Sequence, residues 1–171
     1  MHALAWWPTL AAVLVATITD FRSRKIPNWL VFPFMLSGIA VSTFLHGFSG
    51  AGSSFRGMAL GAAVCGVLAY LRALGMGDLK LCAAIGAWIG PGQLVNALVL
   101  TGLAGGVFAL GWALSGNFVG EIVRNSCSLV GHFFRRGIVP HPELVLANPK
   151  ARRMPYAPAI AIGTLISFFV R

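Results

Sequence analysis

The hydrophobic positions of this chain fall into six long runs, separated by short polar segments. The runs cover residues 3–19, 29–45, 57–71, 79–89, 94–114 and 154–170. A helix needs about 20 apolar residues to cross a bilayer, with about 17 as the lower limit. The fourth run is shorter, but the sequence between Gly75 and Gly90 extends it. The pattern therefore predicts about six transmembrane helices.

The segment between the fifth and sixth runs has a different pattern. Apolar residues recur at helical spacing from Val119 to Phe134, and the opposite face is polar and charged. Such a helix is suited to lying in the headgroup layer on the cytoplasmic side. We interpret it as a membrane anchor, and a grip on a substrate is the alternative. Residues 140–149, rich in proline, predict a loop before the last helix.

The composition agrees with a membrane protein. Of the 171 residues, 57% are hydrophobic and only 10% are charged, whereas a soluble domain carries about 25% charged residues. Glycine spacings at 57/61, 86/90 and 102/106 are typical of helices that pack closely in lipid. We therefore predict an all-α membrane protein that forms a single domain over residues 1–171, with the lipid bilayer as its surroundings.

The basic residues predict the orientation. Thirteen Lys and Arg outnumber four acids, and they cluster beside the apolar runs without a basic groove lined by aromatic residues, so nucleic acid is not an expected partner. Cytoplasmic loops of membrane proteins carry an excess of Lys and Arg. With the N-terminus outside, only Arg56 and Arg171 lie on the outer side and the other eleven are cytoplasmic.

The cysteines and histidines show no metal-binding pattern. Cys65, Cys82 and Cys127 form no C-x-x-C pair, and the four histidines lack the H-E-x-x-H spacing. We therefore expect no metal and no cofactor, and we interpret all three cysteines as small packing residues.

Two of the four acids lie at the ends of apolar runs, where a carboxylate is costly to insert. Asp20 follows the first run and Asp78 precedes the fourth. In the six-helix topology both lie at one depth on the cytoplasmic side. Two carboxyls within hydrogen-bonding reach share one proton, so that one activates water while the other polarises a carbonyl. This pair predicts an intramembrane aspartyl protease; a proton-coupled transporter and an inactive membrane assembly protein are the alternatives.

The neighbours of the two aspartates add detail. Gly75 and Gly77 precede Asp78, and glycine lets a peptide backbone approach closely; close helix packing at Gly77 is the competing interpretation. Arg22 and Lys25 follow Asp20 and either orient the loop in the membrane or receive an acidic substrate group.

Three motifs, taken together, resemble the type IV prepilin peptidases over about residues 15–165. They are Asp20 with the basic residues and Ile26-Pro27-Asn28 after it, Gly75-x-Gly77-Asp78-x-Lys80, and the late segment Met154-Pro155-Tyr156-Ala157-Pro158. The resemblance implies a G-x-G-D aspartyl protease with Asp20 and Asp78 as catalytic residues. The site would be shaped, or the substrate bound, by Gly75, Gly77, Lys80, Arg22, Lys25, Pro27, Asn28, Pro155, Tyr156 and Pro158.

The same resemblance implies a substrate and a location. The substrates would be prepilin or pseudopilin precursors, cleaved at the cytoplasmic face of the bacterial inner membrane by a multi-pass enzyme. Larger family members carry a methyltransferase region with paired C-x-x-C motifs between the first two helices. Here residues 21–28 alone separate those helices and contain no cysteine. The chain is therefore similar to the short, peptidase-only branch associated with tight-adherence (Tad-type) pili, which implies no separate methyltransferase domain.

Overall fold

The computed structural model describes residues 2–23, 25–116, 118–140, 144 and 156–170. Most of the predicted loop 140–149, together with Met154 and Pro155, lies outside the described residues. Every regular element within them is an α-helix, which confirms the predicted all-α class. The helices are α1 (His2–Ser23), α2 (Asn28–Tyr70), α3 (Met76–Ser115), α4 (Val119–Arg136) and α5 (Ala157–Ser167).

The two long helices, α2 and α3, each fold back on themselves at a glycine. Gly47 has φ 59° and ψ −144°, and Gly90 has φ 76° and ψ 174°. Glycine adopts such positive φ values readily because it lacks a Cβ. Beyond the first break, Gly50 lies against the backbone of Ser42. A straight helix would separate these residues by about 12 Å along its axis, so each long helix consists of two arms, 28–46 and 48–70 in α2, and 76–89 and 91–115 in α3.

The helical segments follow the predicted apolar runs. α1 contains the first run, the arms of α2 and α3 correspond to the next four, and α5 lies within the sixth. Among the described residues, α2 and α3 are long and apolar enough to span a membrane. α5 has 11 residues, fewer than a bilayer crossing needs. The six membrane crossings stay a prediction.

Small residues allow α2 and α3 to pack backbone against backbone. A Cβ on Gly57 would overlap the backbone of Gly86, and one on Gly61 would lie 2.7 Å from the carbonyl oxygen of Cys82. In the same contact, the hydroxyl of Ser54 donates a hydrogen bond of 2.7 Å to a backbone carbonyl of α3. This is the close packing predicted from the glycine spacings at 57/61 and 86/90. The same prediction is wrong for 102/106, where a Cβ on either glycine would meet no atom of the described residues within 4 Å.

α5 completes the arrangement by packing on α3 and α1. Gly163 lies against the backbone of Thr101 in the second arm of α3, and Gly105 of the same arm lies against the ring of Tyr156. At the far end of α5, Phe168 stacks on Trp6 of α1, with ring centroids 5.3 Å apart. The N-terminus of α5 is thereby held beside the C-terminal end of α1.

The outward surface of the long helices is apolar. Phe44 is 90% exposed and Phe48 is 97% exposed. Water would make such an apolar surface costly, whereas hydrocarbon would not. The exposed side chains thus fit a chain surrounded by lipid.

α4 confirms the helix predicted between the fifth and sixth runs. It has no buried residue, and α3 is the only described helix that it contacts. Val123, Phe133 and Phe134 are exposed on it. Cys127 is exposed as well, whereas Cys65 and Cys82 are buried. The interpretation of all three cysteines as packing residues is therefore wrong for Cys127, because none of the described helices covers that position.

Candidate active site

Asp20 lies in the last turn of α1 and is only 8% exposed. Its Oδ2 accepts a hydrogen bond of 3.2 Å from the backbone N–H of Ala157, the first residue of α5. The first N–H groups of a helix have no partner within that helix, and a nearby side-chain oxygen often satisfies one of them. Tyr156, at the N-cap of α5, supplies no such side-chain bond. Asp20 therefore caps α5 from another helix.

Asp78 is the third residue of α3, and its side chain turns back toward the start of the helix. The backbone N–H of the N-cap residue, Gly75, hydrogen-bonds to the Asp78 carboxyl. This is the acidic half of a capping box. A Cβ on Gly75 would lie 3.1 Å from Oδ2 of Asp78, which is closer than most non-bonded contacts of a Cβ atom. Glycine at position 75 thus leaves room for the carboxyl.

The fold brings the two aspartates close together. The charge of Asp20 acts on Asp78, although the two residues belong to α1 and α3. α1 and α3 are in contact, and α5 packs against both. The structure therefore brings Asp20 and Asp78 together, and the first turn of α5 lies beside them.

Lys80 links two of the sequence motifs. Its Nζ donates a hydrogen bond of 3.1 Å to Oδ1 of Asn28, the first residue of α2. The same ammonium lies 5.8 Å from the centre of the Phe32 ring, one turn further along α2, within the range of a cation–π contact. Lys80 and Asn28 thus hold the starts of α3 and α2 together.

Gly77 packs against the connection between α1 and α2. A Cβ on Gly77 would lie 3.2 Å from Cβ of Ile26, so the space beside Gly77 is already filled. Pro27 follows as the N-cap of α2, in an extended conformation, and its carbonyl accepts the N–H of Leu30. Ile26 is a neighbour that the sequence analysis missed as a contact, although it belongs to the Ile-Pro-Asn motif.

Tyr156 and Pro158 flank Ala157, whose N–H Asp20 caps. The Tyr156 ring is half-buried against the core, and the charge of Asp78 acts on its hydroxyl. Pro158 is the second residue of α5, where a missing N–H costs nothing. Both predicted residues thus lie beside the pair, whereas Arg22 and Lys25 are exposed at the end of α1 and in the connection that follows it.

Cys65 and Cys82 lie near the aspartates without belonging to the predicted site. Their thiols hydrogen-bond to each other between α2 and α3, and the charge of Asp78 acts on both. Burial between packed helices is the role expected of them from the sequence.

Comparison with known proteins finds relatives that match the part of the chain containing both aspartates. The sequence model of the type IV leader peptidase family matches residues 7–110, which include both aspartates. The "Prepilin leader peptidase/N-methyltransferase" of Aeromonas salmonicida (strain A449) is 32% identical over 124 residues, which are 65% of this chain and 42% of that protein. Its namesake in Burkholderia pseudomallei (strain 1026b) is 29% identical over 120 residues, covering 63% of this chain and 37% of that protein.

A further similar protein is the "Type 4 prepilin-like proteins leader peptide-processing enzyme" of Escherichia coli O78:H11. It is 38% identical over 47 residues, 28% of this chain and 18% of that protein. The chain thus spans less than half the length of these curated relatives. No solved structure matches it. Since the family model covers well over half of the sequence and includes the meeting point of α1 and α3, the chain belongs to the type IV leader peptidase family.

Proposed function

We propose that this chain is an aspartic endopeptidase that removes the leader of type IV prepilins, with Asp20 and Asp78 as the pair that activates water. The observation that carries the proposal is the position of the two carboxyls. They come from the last turn of α1 and the first turn of α3, and the charge of one acts on the other. The names of the curated relatives supply the substrate class.

The proposed chemistry needs one proton shared between the two carboxyls. The ionised carboxyl takes a proton from water as the water oxygen bonds to the scissile carbonyl carbon. The other carboxyl gives its proton to the carbonyl oxygen. In the second step the leaving nitrogen takes the proton that the first carboxyl received from water, and the C–N bond breaks. The carbonyl re-forms as its hydroxyl returns a proton to the second carboxyl, which restores the pair. The residues act as a pair, so the protonation states belong to both.

The proposed location is the cytoplasmic boundary of the bacterial inner membrane, with about six crossings. The exposed apolar surface of α2 and α3 and the distribution of basic residues support it. A prepilin has a short basic leader followed by an apolar helix that stays in the membrane. Aspartates at the cytoplasmic ends of helices would meet the junction between these two parts.

α4 would lie on the cytoplasmic surface, on the same side of the membrane as the two aspartates. It presents exposed Phe133 and Phe134 and has basic residues in its last turn. Apolar side chains can enter the boundary between headgroups and acyl chains, and arginines are attracted to anionic headgroups. This supports the membrane anchor over the grip on a substrate.

The finer assignment to Tad-type pili rests on the connection between α1 and α2. Only residues 24–27 separate the two helices, and none of them is a cysteine. We propose that this chain cleaves prepilins without methylating the product. The curated relatives combine both activities in their names, so a methyl-transfer assay with the cleaved product tests this part separately.

The deciding experiment mixes the purified protein in detergent with a model prepilin and follows loss of the leader by mass spectrometry. Cleavage by the parent protein, and none by Asp20→Asn or Asp78→Asn, supports the proposal. A parent protein that cleaves nothing but carries protons into liposomes in an Asp20-dependent manner would establish the transporter alternative. If the protein shows neither cleavage nor proton flux, the inactive membrane assembly protein is the alternative that remains.

A further inference from the structure

The first turn of α5 directs one backbone N–H away from its own helix. This N–H belongs to Ala157 and reaches the carboxyl of Asp20. Pro158 has no N–H that could compete for the same oxygen. The next two N–H groups, those of Ala159 and Ile160, both donate to the carbonyl of Tyr156 and are therefore used within the turn. The turn therefore offers Asp20 a single donor, at a fixed position.

Burial makes this contact strong. Ala157 is fully buried and Asp20 is nearly so, so water cannot easily replace the donor. A hydrogen bond to an ionised acceptor is stronger than one between neutral groups. The positive end of the α5 macrodipole favours a negative charge at the same place. Both effects strengthen the contact between the N-terminus of α5 and the Asp20 carboxyl.

The position of α5 is independently fixed, so its N-terminus can place the carboxyl. The stacking of Trp6 on Phe168 holds the other end of α5 to α1. Along its length, α5 packs on α3 through Gly163 and Thr101. The helix that carries Ala157 thus touches both helices that carry the aspartates.

We propose that the N-terminus of α5 is a positioning element of the aspartate pair: the Ala157 N–H holds the Asp20 carboxyl in place beside Asp78. The inference rests on the proposed peptidase function. Ala157 is a positioning residue because it acts through Asp20 and does not itself touch the reacting atoms.

An ester replacement tests this without changing a side chain. Lactic acid, the α-hydroxy acid that corresponds to alanine, in place of Ala157 converts the N–H into an oxygen and keeps the methyl group. The matched control is the same replacement at Ala159, which removes a hydrogen bond to the Tyr156 carbonyl. The ester at 157 also makes the Tyr156 carbonyl a weaker hydrogen-bond acceptor. The 157 ester and the 159 ester therefore both weaken the bond within the turn, and they differ chiefly in the donor to Asp20.

We expect the 157 ester to lower kcat by about tenfold or more, the effect of losing a hydrogen bond to a charged group, with KM unchanged. The loss should lie in kcat and not in KM, because the substrate still binds while the Asp20 carboxyl is no longer held in place. The 159 ester should keep the parent kcat and KM. An unchanged kcat for the 157 ester, or equal losses in both proteins, would overturn the proposal.

A second measurement needs no substrate and separates the two hypotheses. Asp20→Ala and the 157 ester each remove one partner of the same contact, so their effects on the melting temperature should not add. Asp20→Ala and the 159 ester should add. Additivity in both cycles would overturn the contact even if the enzyme cleaves prepilin. Coupling at 157 in a protein that cleaves nothing would support the contact and refute the peptidase function.

Discussion

The ammonium of Lys80 and the side-chain amide of Asn28 form a hydrogen bond of 3.1 Å between the starts of α3 and α2. The two residues are far apart in sequence and belong to the two motifs that surround Asp78 and follow Asp20. The bond fixes the start of α3, two residues beyond Asp78, against the chain that leaves α1. The motifs therefore have a direct structural reason to occur together.

Loss of this bond should weaken the enzyme without abolishing it. Lys80→Met and Asn28→Ala should each lower the free energy of unfolding by about 1 kcal/mol and lower cleavage a few-fold. The double variant should be little worse than either single one, because both remove the same contact. Melting temperatures and cleavage rates on the same preparations check this. Complete loss of cleavage with Lys80→Met alone would instead indicate that the ammonium contacts the substrate.

The aspartate pair should behave as a unit. Asp20→Asn and Asp78→Asn should each lower cleavage by about 10⁴-fold, and the double variant should be no worse, since removing one member already disables the mechanism. Glu121→Gln is the matched control, as it removes a carboxylate from α4, outside the proposed site. A rate near that of the parent in either aspartate variant would refute the assignment.

Gly77 should be needed for packing rather than for substrate approach. The methyl group of Gly77→Ala would meet Cβ of Ile26 at 3.2 Å, and overpacking of this kind costs about 1–3 kcal/mol. Melting temperature and cleavage should therefore fall together, and further in Gly77→Val. Trimming the neighbour, as in Gly77→Ala with Ile26→Ala, removes the Ile26 Cγ1 that a Cβ at position 77 would meet at 3.4 Å and should restore part of both. If cleavage fell while the melting temperature stayed constant, the glycine would serve the substrate instead.

The topology can be tested with single cysteines. Cys127 should first be replaced by serine because it is exposed, whereas Cys65 and Cys82 are buried and should react slowly. An impermeant maleimide added to intact cells should label a cysteine placed within 49–53 and should not label one within 22–25. Labelling of the second group from outside would place both aspartates on the outer side and refute the cytoplasmic cleavage site.

The sequence predicts the parts of the fold that local pattern determines. Apolar runs identify the helical segments, and the period of α4 identifies an amphipathic helix, because each depends on neighbouring residues alone. The turning points at Gly47 and Gly90 are harder to predict, since many glycines in the chain occupy ordinary helical positions. The two breaks depend on φ values that the residue type permits but does not require.

The site divides in the same way. Asp20 and Asp78 can be predicted because carboxylates are rare and costly in apolar sequence. The contact between Asp20 and Ala157 cannot, because the donor is a backbone N–H and the residues are 137 positions apart. No side-chain chemistry marks alanine as the partner of an aspartate. The packing of Gly77 on Ile26 cannot be predicted from the sequence for a similar reason. A glycine shows that a Cβ is absent but not which neighbouring side chain fills that space.

The N–H that α5 donates to Asp20 also has a temporal consequence. During synthesis, α1 and α3 leave the ribosome long before residue 157 does, so both aspartates reach the membrane while the donor is still missing. The folds of α2 and α3 are local in sequence and can form in that interval. A nascent chain would therefore contain both carboxyls but lack the Ala157 N–H that holds the Asp20 carboxyl in place. Full proteolytic activity would begin only after α5 has docked.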